Sequence, residues 1–264
     1  TERHLAEKAV ADREAELRAL NGTLEARVVE RTTQLEQRNR DLQDFAHAAS
    51  HDLQEPLRKI SIFAGMIAED YADNMDEQGR YFIDRVQNAA QRLGVLVRDL
   101  LAYSRVSSRA ADADEVDLAS VAQTVLEDLE MAIRDSGAQI QIDALPTIQA
   151  DSAQMHQLLQ NLLENAVKYR HPDRSPKIRV WAETSDRTVD LMVEDDGIGI
   201  DPKHRERIFA PFGRLHGRSE YAGSGIGLAV CRRIAERHGG SIEVEGEVGE
   251  GSTFVVTLPI EGVG

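Results

Sequence analysis

The sequence predicts a multidomain protein, α followed by α+β: an N-terminal coiled coil and a helical hairpin forming a dimeric four-helix bundle, then an α/β sandwich. Three observations predict it. Up to about residue 105 apolar residues recur in alternating steps of four and three, with Pro56 the one proline of that region. Beyond it, helical periodicity alternates with short β-branched runs bounded by glycine. A small, polar stretch, "SSRAADADEVD" from Ser107, separates the two regimes. The reading divides the chain into a leading helix over 1–40, a hairpin over 41–106, a linker over 107–116 and the α/β domain over 117–264.

The first seam runs Leu17, Asn21, Leu24, Val28, Arg31, Leu35, Arg38, Leu42, Phe45, with Glu25, Arg27, Glu30 and Glu36 on its flanks. A lone helix cannot bury such a stripe, so a coiled-coil dimer is expected. A second stripe, Phe82, Val86, Ala89, Leu93, Leu96, Leu100, Tyr103, follows the polar turn "YADNMDEQG". One hairpin leaves apolar surface exposed, and two complete a four-helix bundle, so the expected assembly is a homodimer. The chain starts inside a helical pattern, which suggests a fragment whose upstream part is absent.

The α/β domain is read element by element. Residues 118–136 place Val121, Val125, Leu129 and Ile133 on one helical face, and Gly137 stops the helix. Ile140 and Ile142 alternate in a short strand. Asp151 caps a helix carrying Met155, Leu158, Leu159, Leu162 and Ala166. Strands follow at "KIRVWAE" and "TVDLMVE". A helix begins near Gly225 and ends at "HGG". The last strands are "SIEVEGE" and "STFVVTLPI". Helices covering one face of a sheet satisfy this pattern.

The 264 residues carry a net charge of −15, with 41% hydrophobic and 5% aromatic residues. Such an acidic chain is a poor nonspecific binder of nucleic acid or anionic membrane. No apolar run approaches the ~20 residues of a membrane helix, and no signal peptide is present, so a cytoplasmic location is expected. Cys231, the single cysteine, forms no internal disulfide and reads as a buried small hydrophobe.

Three glycine-rich segments stand out. "EDDGIGI" follows a strand, "GSGIGLAV" precedes a helix, and "GEGSTF" leads into the last strand. Each places glycine where the backbone turns tightly or approaches a ligand, and the second exposes N–H groups at a helix start, a phosphate-binding arrangement. Singly, each is an ordinary turn. Their fixed order, together with "NLLENAVKY", argues for a ligand site. That helix sets Asn161 and Asn165 on one face, with Lys168 a step further round. Amide oxygens can ligate Mg²⁺ and a lysine can meet phosphate.

In "AHAASHDLQEPLRKI" a titratable nucleophile, His51, is followed by an acid, Asp52, and by Pro56, which lacks an N–H and weakens the helix beyond it. His47 completes an H-x-x-x-H spacing, but no third zinc ligand is evident.

These motifs resemble the catalytic half of a sensor histidine kinase of a two-component system. "SHDLQEPLR", "NLLENAVKY", "VEDDGIGI", "IFAPFGRL" and "GSGIGLAV" stand in order, with "GEGSTF" behind, and the similarity covers residues from about 40 to 260. The resemblance implies a dimerisation and phosphoacceptor bundle joined to an ATP-binding domain of the GHKL (Bergerat) type. The wording "HDLQEPLR" is similar to kinases behind phytochrome and PAS-type sensors, which implies such a module upstream.

Carried onto this sequence, His51 matches the phosphorylated histidine and Asp52 the acid that follows it. Asn165 matches the Mg²⁺-binding asparagine, with Asn161 its neighbour in the nucleotide site. Lys168 matches a phosphate-contacting residue and Tyr169 one beside the adenine. Asp195 matches the aspartate that recognises the adenine amine, with Gly197 and Gly199 its glycines. Phe209 and Phe212 match the phenylalanines that anchor the ATP lid, and Arg214 a basic residue near the γ-phosphate. Gly223, Gly225 and Gly227 match the phosphate-side glycines.

The implied function is ATP-dependent autophosphorylation of His51 and transfer to an aspartate of a response regulator receiver domain, with ATP and Mg²⁺ as ligands. Two alternatives stand beside it: a GHKL-type ATPase driving a clamp, and a noncatalytic dimeric scaffold. Clamp ATPases carry a water-activating glutamate four residues before the metal asparagine, where this chain has Asn161. Intact residues at every motif argue against the scaffold. Glu55 stands where kinases that also dephosphorylate their partner often have threonine or asparagine, which implies weak phosphatase activity.

Overall fold

The computed structural model describes residues 2–71, 75–105, 114–213, 215, 221 and 224–261. The side chains of 2–12, 14–20, 25, 35–36, 39–51, 102 and 104–105 lie outside that description. Arg214, Gly223, the ring of His51, the side chains of His47, Leu17, Leu35, Leu42 and Phe45, and the linker residues up to 113 therefore fall outside the described set.

Helix α1 runs from Glu2 to Asp70 and α2 from Glu77 to Arg105. The chain divides into two compact units, Thr1–Ala48 and Ala49–Gly264. In the first, Leu24 and Val28 of the predicted seam are exposed, and Glu30, Arg31 and Gln34 are linked by hydrogen bonds along the helix surface. In the second, α1 passes through Pro56 without interruption. One missing N–H is tolerated inside so long a hydrogen-bond ladder.

The hairpin of α1 and α2 buries Leu57, Ala64, Ala90, Val97 and Leu101. These lie beside the predicted stripe. Phe82, Val86, Leu93 and Leu100 remain 41–55% exposed along it. The stripe thus keeps its apolar face free, as a partner hairpin would require.

Strand β1 spans Asp114–Asp117, α3 Leu118–Asp128, α4 Glu130–Ser136, β2 Gln139–Ile142, β3 Thr147–Ala150 and α5 Ser152–Lys168. Strand β4 spans Lys177–Thr184, β5 Thr188–Asp195, α6 Gly227–Arg237, β6 Ser241–Glu247 and β7 Gly251–Pro259. The main sheet has the order β2-β4-β5-β7-β6, parallel between β2 and β4 and antiparallel elsewhere. The antiparallel pair β1–β3 forms a second, two-stranded sheet.

Two local differences from the sequence reading have physical causes. The single helix expected over 118–136 is two, because Leu129 leaves helical geometry at φ −96°, ψ 5°. Gly137 then stops α4 in the left-handed region at φ 66°, as expected. The polar stretch after Ser107 ends in β1, whose one buried residue, Val116, pairs with Ile148.

The core lies between one sheet face and α3, α5 and α6. Leu158, Leu159, Leu162 and Leu163 of α5 meet Val180, Leu191 and Val256 of the sheet, all fully buried. Asp151 caps α5 by accepting from the Gln154 N–H at 3.1 Å. Behind it His238, the C-cap of α6, is buried: its Nε2 accepts from the Asp151 N–H at 3.2 Å, and its Nδ1 lies 2.9 Å from the Ile234 carbonyl. At the other boundary Arg233 of α6 donates to the Tyr103 hydroxyl of α2 at 3.3 Å.

Candidate nucleotide site

Side chains on a strand alternate between faces. On β5 that alternation turns Val189, Leu191 and Val193 into the core and carries Asp195 inward with them. Asp195 is therefore a carboxylate at the rim of an apolar core, 8% exposed. Burial pushes its pKa up to about 6; the N–H groups of Gly197 and Ser252 pull it down, and Asp196 and Glu194 add to the rise.

The following loop needs its glycines. The Gly197 N–H donates to Asp195 Oδ1 at 2.9 Å, and a Cβ at Gly197 would overlap the carbonyl oxygen of Tyr169. Gly199 sits at φ 69°, where a Cβ would overlap the Glu247 carbonyl. The Ile198 N–H donates to the same Tyr169 carbonyl at 3.0 Å, so the loop is fastened to the end of α5.

Helix α5 supplies the opposite wall. Asn165 and Tyr169, one turn apart, line a cavity of about 70 Å³ with Asp195, Gly199, Ser252 and Phe254. Asn161, one turn earlier, lies beside α6: its Oδ1 would be 3.2 Å from a Cβ at Gly227, and its Nδ2 is buried with no hydrogen-bond partner among the described residues. Cys231 of α6 is fully buried nearby, and burial pushes its thiol up to about 12. Glu164 stands on a different face. Gln160 donates to it at 3.0 Å; crowding raises its pKa, and Asp99 of α2 adds to the rise.

Lys168 Nζ donates to the Tyr169 hydroxyl at 2.9 Å and lies 4.3 Å from the centroid of its ring. Tyr221 packs against the same ring at 5.0 Å between centroids. Phe209 is buried and meets Phe254 edge-on at 6.4 Å, whereas Phe212 is 59% exposed at φ 62°. Of the two predicted anchors, Phe209 is the one packed into the core. Gly225 adopts φ 78° just before α6. Asp52 is exposed on α1, one residue beyond His51.

The structure thus gathers Asn165, Tyr169, Asp195 and Gly199 around one cavity, with Gly197 fixing the Asp195 loop, Asn161 and Gly227 in contact beside it and Lys168 on the Tyr169 ring. Sequence reading did not single out Ser252, Phe254 or Tyr221. The first two sit in "GEGSTF", whose glycines drew attention while its strand register, which turns both side chains inward, was not legible.

Residues 150–262 match the family described as histidine kinase-, DNA gyrase B-, and HSP90-like ATPase. Residues 41–109 match the His Kinase A (phospho-acceptor) domain. The chain is 41% identical over 226 residues to phytochrome-like protein Cph1 of Synechocystis sp., covering 86% of this chain and 30% of that protein. It spans about 30% of the length of the curated relatives it matches. The crystal structure of full-length ShkA in complex with AMPPNP is similar, with TM-score 0.65 and 27% identity over 83% of this chain and 46% of that one. Histidine kinase ThkA, solved in complex with the response regulator protein TrrA, shares the fold at TM-score 0.58 and 23% identity over 85% of this chain and 65% of that one. A phosphoacceptor hairpin followed by an ATPase domain of this fold places the chain in the sensor histidine kinase family, as a catalytic core.

Proposed function

We propose that this chain autophosphorylates His51 with ATP and passes the phosphoryl group to an aspartate of a response regulator. The observation that carries the reading is the buried Asp195 carboxylate, held by the Gly197 N–H beside Asn165 and Tyr169. A carboxylate so placed accepts a hydrogen bond from an amino group such as that of adenine. The cavity among the described residues, about 70 Å³, is smaller than the ~300–1,000 Å³ of typical ligand sites.

Asn165, with Asn161 one turn before it on the same helix, fits Mg²⁺ brought in on nucleotide phosphates, because an amide oxygen is a suitable hard donor. When bound, the metal supplies charge neutralisation at the phosphates. Lys168 and Arg214 add positive charge, and the N–H groups around Gly223, Gly225 and Gly227 receive phosphate oxygens. The His51 ring, in its neutral form, attacks the γ-phosphorus with a nitrogen lone pair. A nitrogen–phosphorus bond forms, the bond to the β–γ bridging oxygen breaks, ADP leaves, and Asp52 takes the ring proton.

Asn161 occupies the position of a clamp ATPase's water-activating glutamate, and Glu164, one residue before Asn165, lies on another face of α5, which supports transfer to a side chain over hydrolysis. The exposed stripe of α2 supports a homodimer, and ThkA's complex supports a receiver domain as partner. The likeness to Cph1 supports an upstream sensor module of phytochrome type. Among the described residues no helix is long and apolar enough to cross a membrane. The domain boundaries proposed are those read from the sequence, except that β1, Asp114–Asp117, moves the start of the ATP-binding domain into the expected linker.

Incubation with γ-labelled ATP tests the reading. Acid-labile label that requires His51 is expected. Phosphate release without labelling would indicate an ATPase, and neither event would indicate a scaffold.

A further inference from the structure

Asp196, directly after Asp195, is fastened through both its main chain and its side chain. Its N–H donates to the Lys177 carbonyl at 3.2 Å, and its Oδ1 accepts from the Lys177 N–H at 2.8 Å. Arg174, in the connection between α5 and β4, holds it from the other side of the carboxyl group. Its Nη2 donates to the Asp196 carbonyl, and its Nε lies 3.4 Å from Asp196 Oδ2. One planar guanidinium thus grips the carbonyl and the carboxylate of the same residue, which a lysine ammonium does not reproduce. The Asp196 side chain is only 29% exposed, so water screens its charge incompletely.

We infer that Arg174 is a positioning residue for Asp195: by pairing with Asp196 it offsets the negative charge beside the carboxylate that receives the adenine amine, and so keeps that carboxylate able to accept. The inference rests on the nucleotide reading proposed above and extends it to a residue outside every motif. Charged groups surround Asp195 on several elements: Glu194 on its own strand, Lys177 and Arg179 on β4, Glu245 and Glu247 on β6, Glu250 before β7, and Arg205. Tyr169 faces it across the nucleotide cavity. After burial, the largest cause, it is Asp196 and then Glu194 that push the Asp195 carboxyl up. The Arg174 cation stands on Asp196 itself, so its removal leaves that charge less compensated.

The test follows ATP binding to the whole chain by calorimetry between pH 5 and pH 8. Each variant is compared with the parent, so the ionisation of ATP itself cancels. The parent's affinity is expected to fall as pH drops through about 6. Arg174→Gln moves that midpoint up by roughly 0.5–1 pH unit, and Asp196→Asn moves it down by a similar amount, since it deletes the like charge. In the Asp196→Asn background, Arg174→Gln has less than about half of its effect in the parent. At pH 8, where Asp195 is charged in every variant, affinities converge to within about threefold. The inference is overturned by an unmoved midpoint in Arg174→Gln, by shifts of the same sign in both single variants, by an undiminished effect in the Asp196→Asn background, or by a loss of binding at pH 8 as large as that at pH 6. A parent chain that binds no ATP at any pH would instead sink the proposed function together with this extension.

Discussion

Asp195 and Gly197 are joined by a hydrogen bond of 2.9 Å in which the glycine N–H donates to a carboxylate almost wholly removed from water. That bond and the one from the Ser252 N–H favour the charged form; burial disfavours it and wins, leaving the group at about 6 instead of 3.8.

A pH dependence follows, with a definite sign. The folded value, about 6, lies above the ordinary one. Asp195 therefore favours folding most below pH ~4, and this contribution is lost as pH rises through ~6. At pH 7 the buried charge opposes folding. Asp195→Asn should raise the thermal midpoint at pH 7, by the equivalent of up to about 3 kcal/mol, and change it little at pH 4. The same substitution should abolish ATP binding, and the parent chain's affinity should fall as pH drops below 6. Calorimetric melting and titration with ATP at both pH values check this.

Asn165→Ala should abolish labelling of His51 while leaving the dimer intact, because the amide serves the phosphates and touches no hairpin residue in the proposed site. Labelling at the parent rate would overturn the proposed Mg²⁺ role of Asn165.

His238 closes a buried link between α6 and the start of α5. A backbone N–H can only donate and a carbonyl can only accept, so the ring carries its proton on Nδ1 and accepts at Nε2. His238→Ala strands the Asp151 N–H and should cost about 1–3 kcal/mol in urea denaturation. Unchanged stability would show that water replaces the ring without loss.

Glu55 pairs with Lys59 at 2.7 Å, both more than half exposed. Glu55→Ala should therefore alter stability by less than ~1 kcal/mol, so activity can be compared directly. Partner dephosphorylation should be slow in the parent chain; a fast reaction lost in Glu55→Ala would contradict that expectation.

The exposed stripe of α2 predicts assembly. Leu93, 44% exposed, lies midway along it. Leu93→Glu should convert a dimer into a monomer in sedimentation, while Gln91→Glu on a neighbouring face should not.

Sequence periodicity alone located α2, α5 and α6, because an amphipathic helix writes its buried face into every third or fourth residue. It also located the caps at Asp151 and Gly137, where one side chain or one absent Cβ decides the geometry. Motif order singled out Asn165, Asp195 and the glycines. What it could not supply were relations between distant segments. Strand β1, "DEVD", has little strand propensity and exists because β3 pairs with it. The break at Leu129 interrupts an unbroken apolar period. The hairpin buries Ala90 and Val97 instead of the seam one position away, since burial in a bundle depends on which neighbour is nearest. The sequence determined which residue types could bind a nucleotide and accept a phosphoryl group. Tertiary structure alone decided that Asp195 would lose its water and that Tyr221 would meet Tyr169, because desolvation and ring contact come from chain segments that local sequence does not bring together.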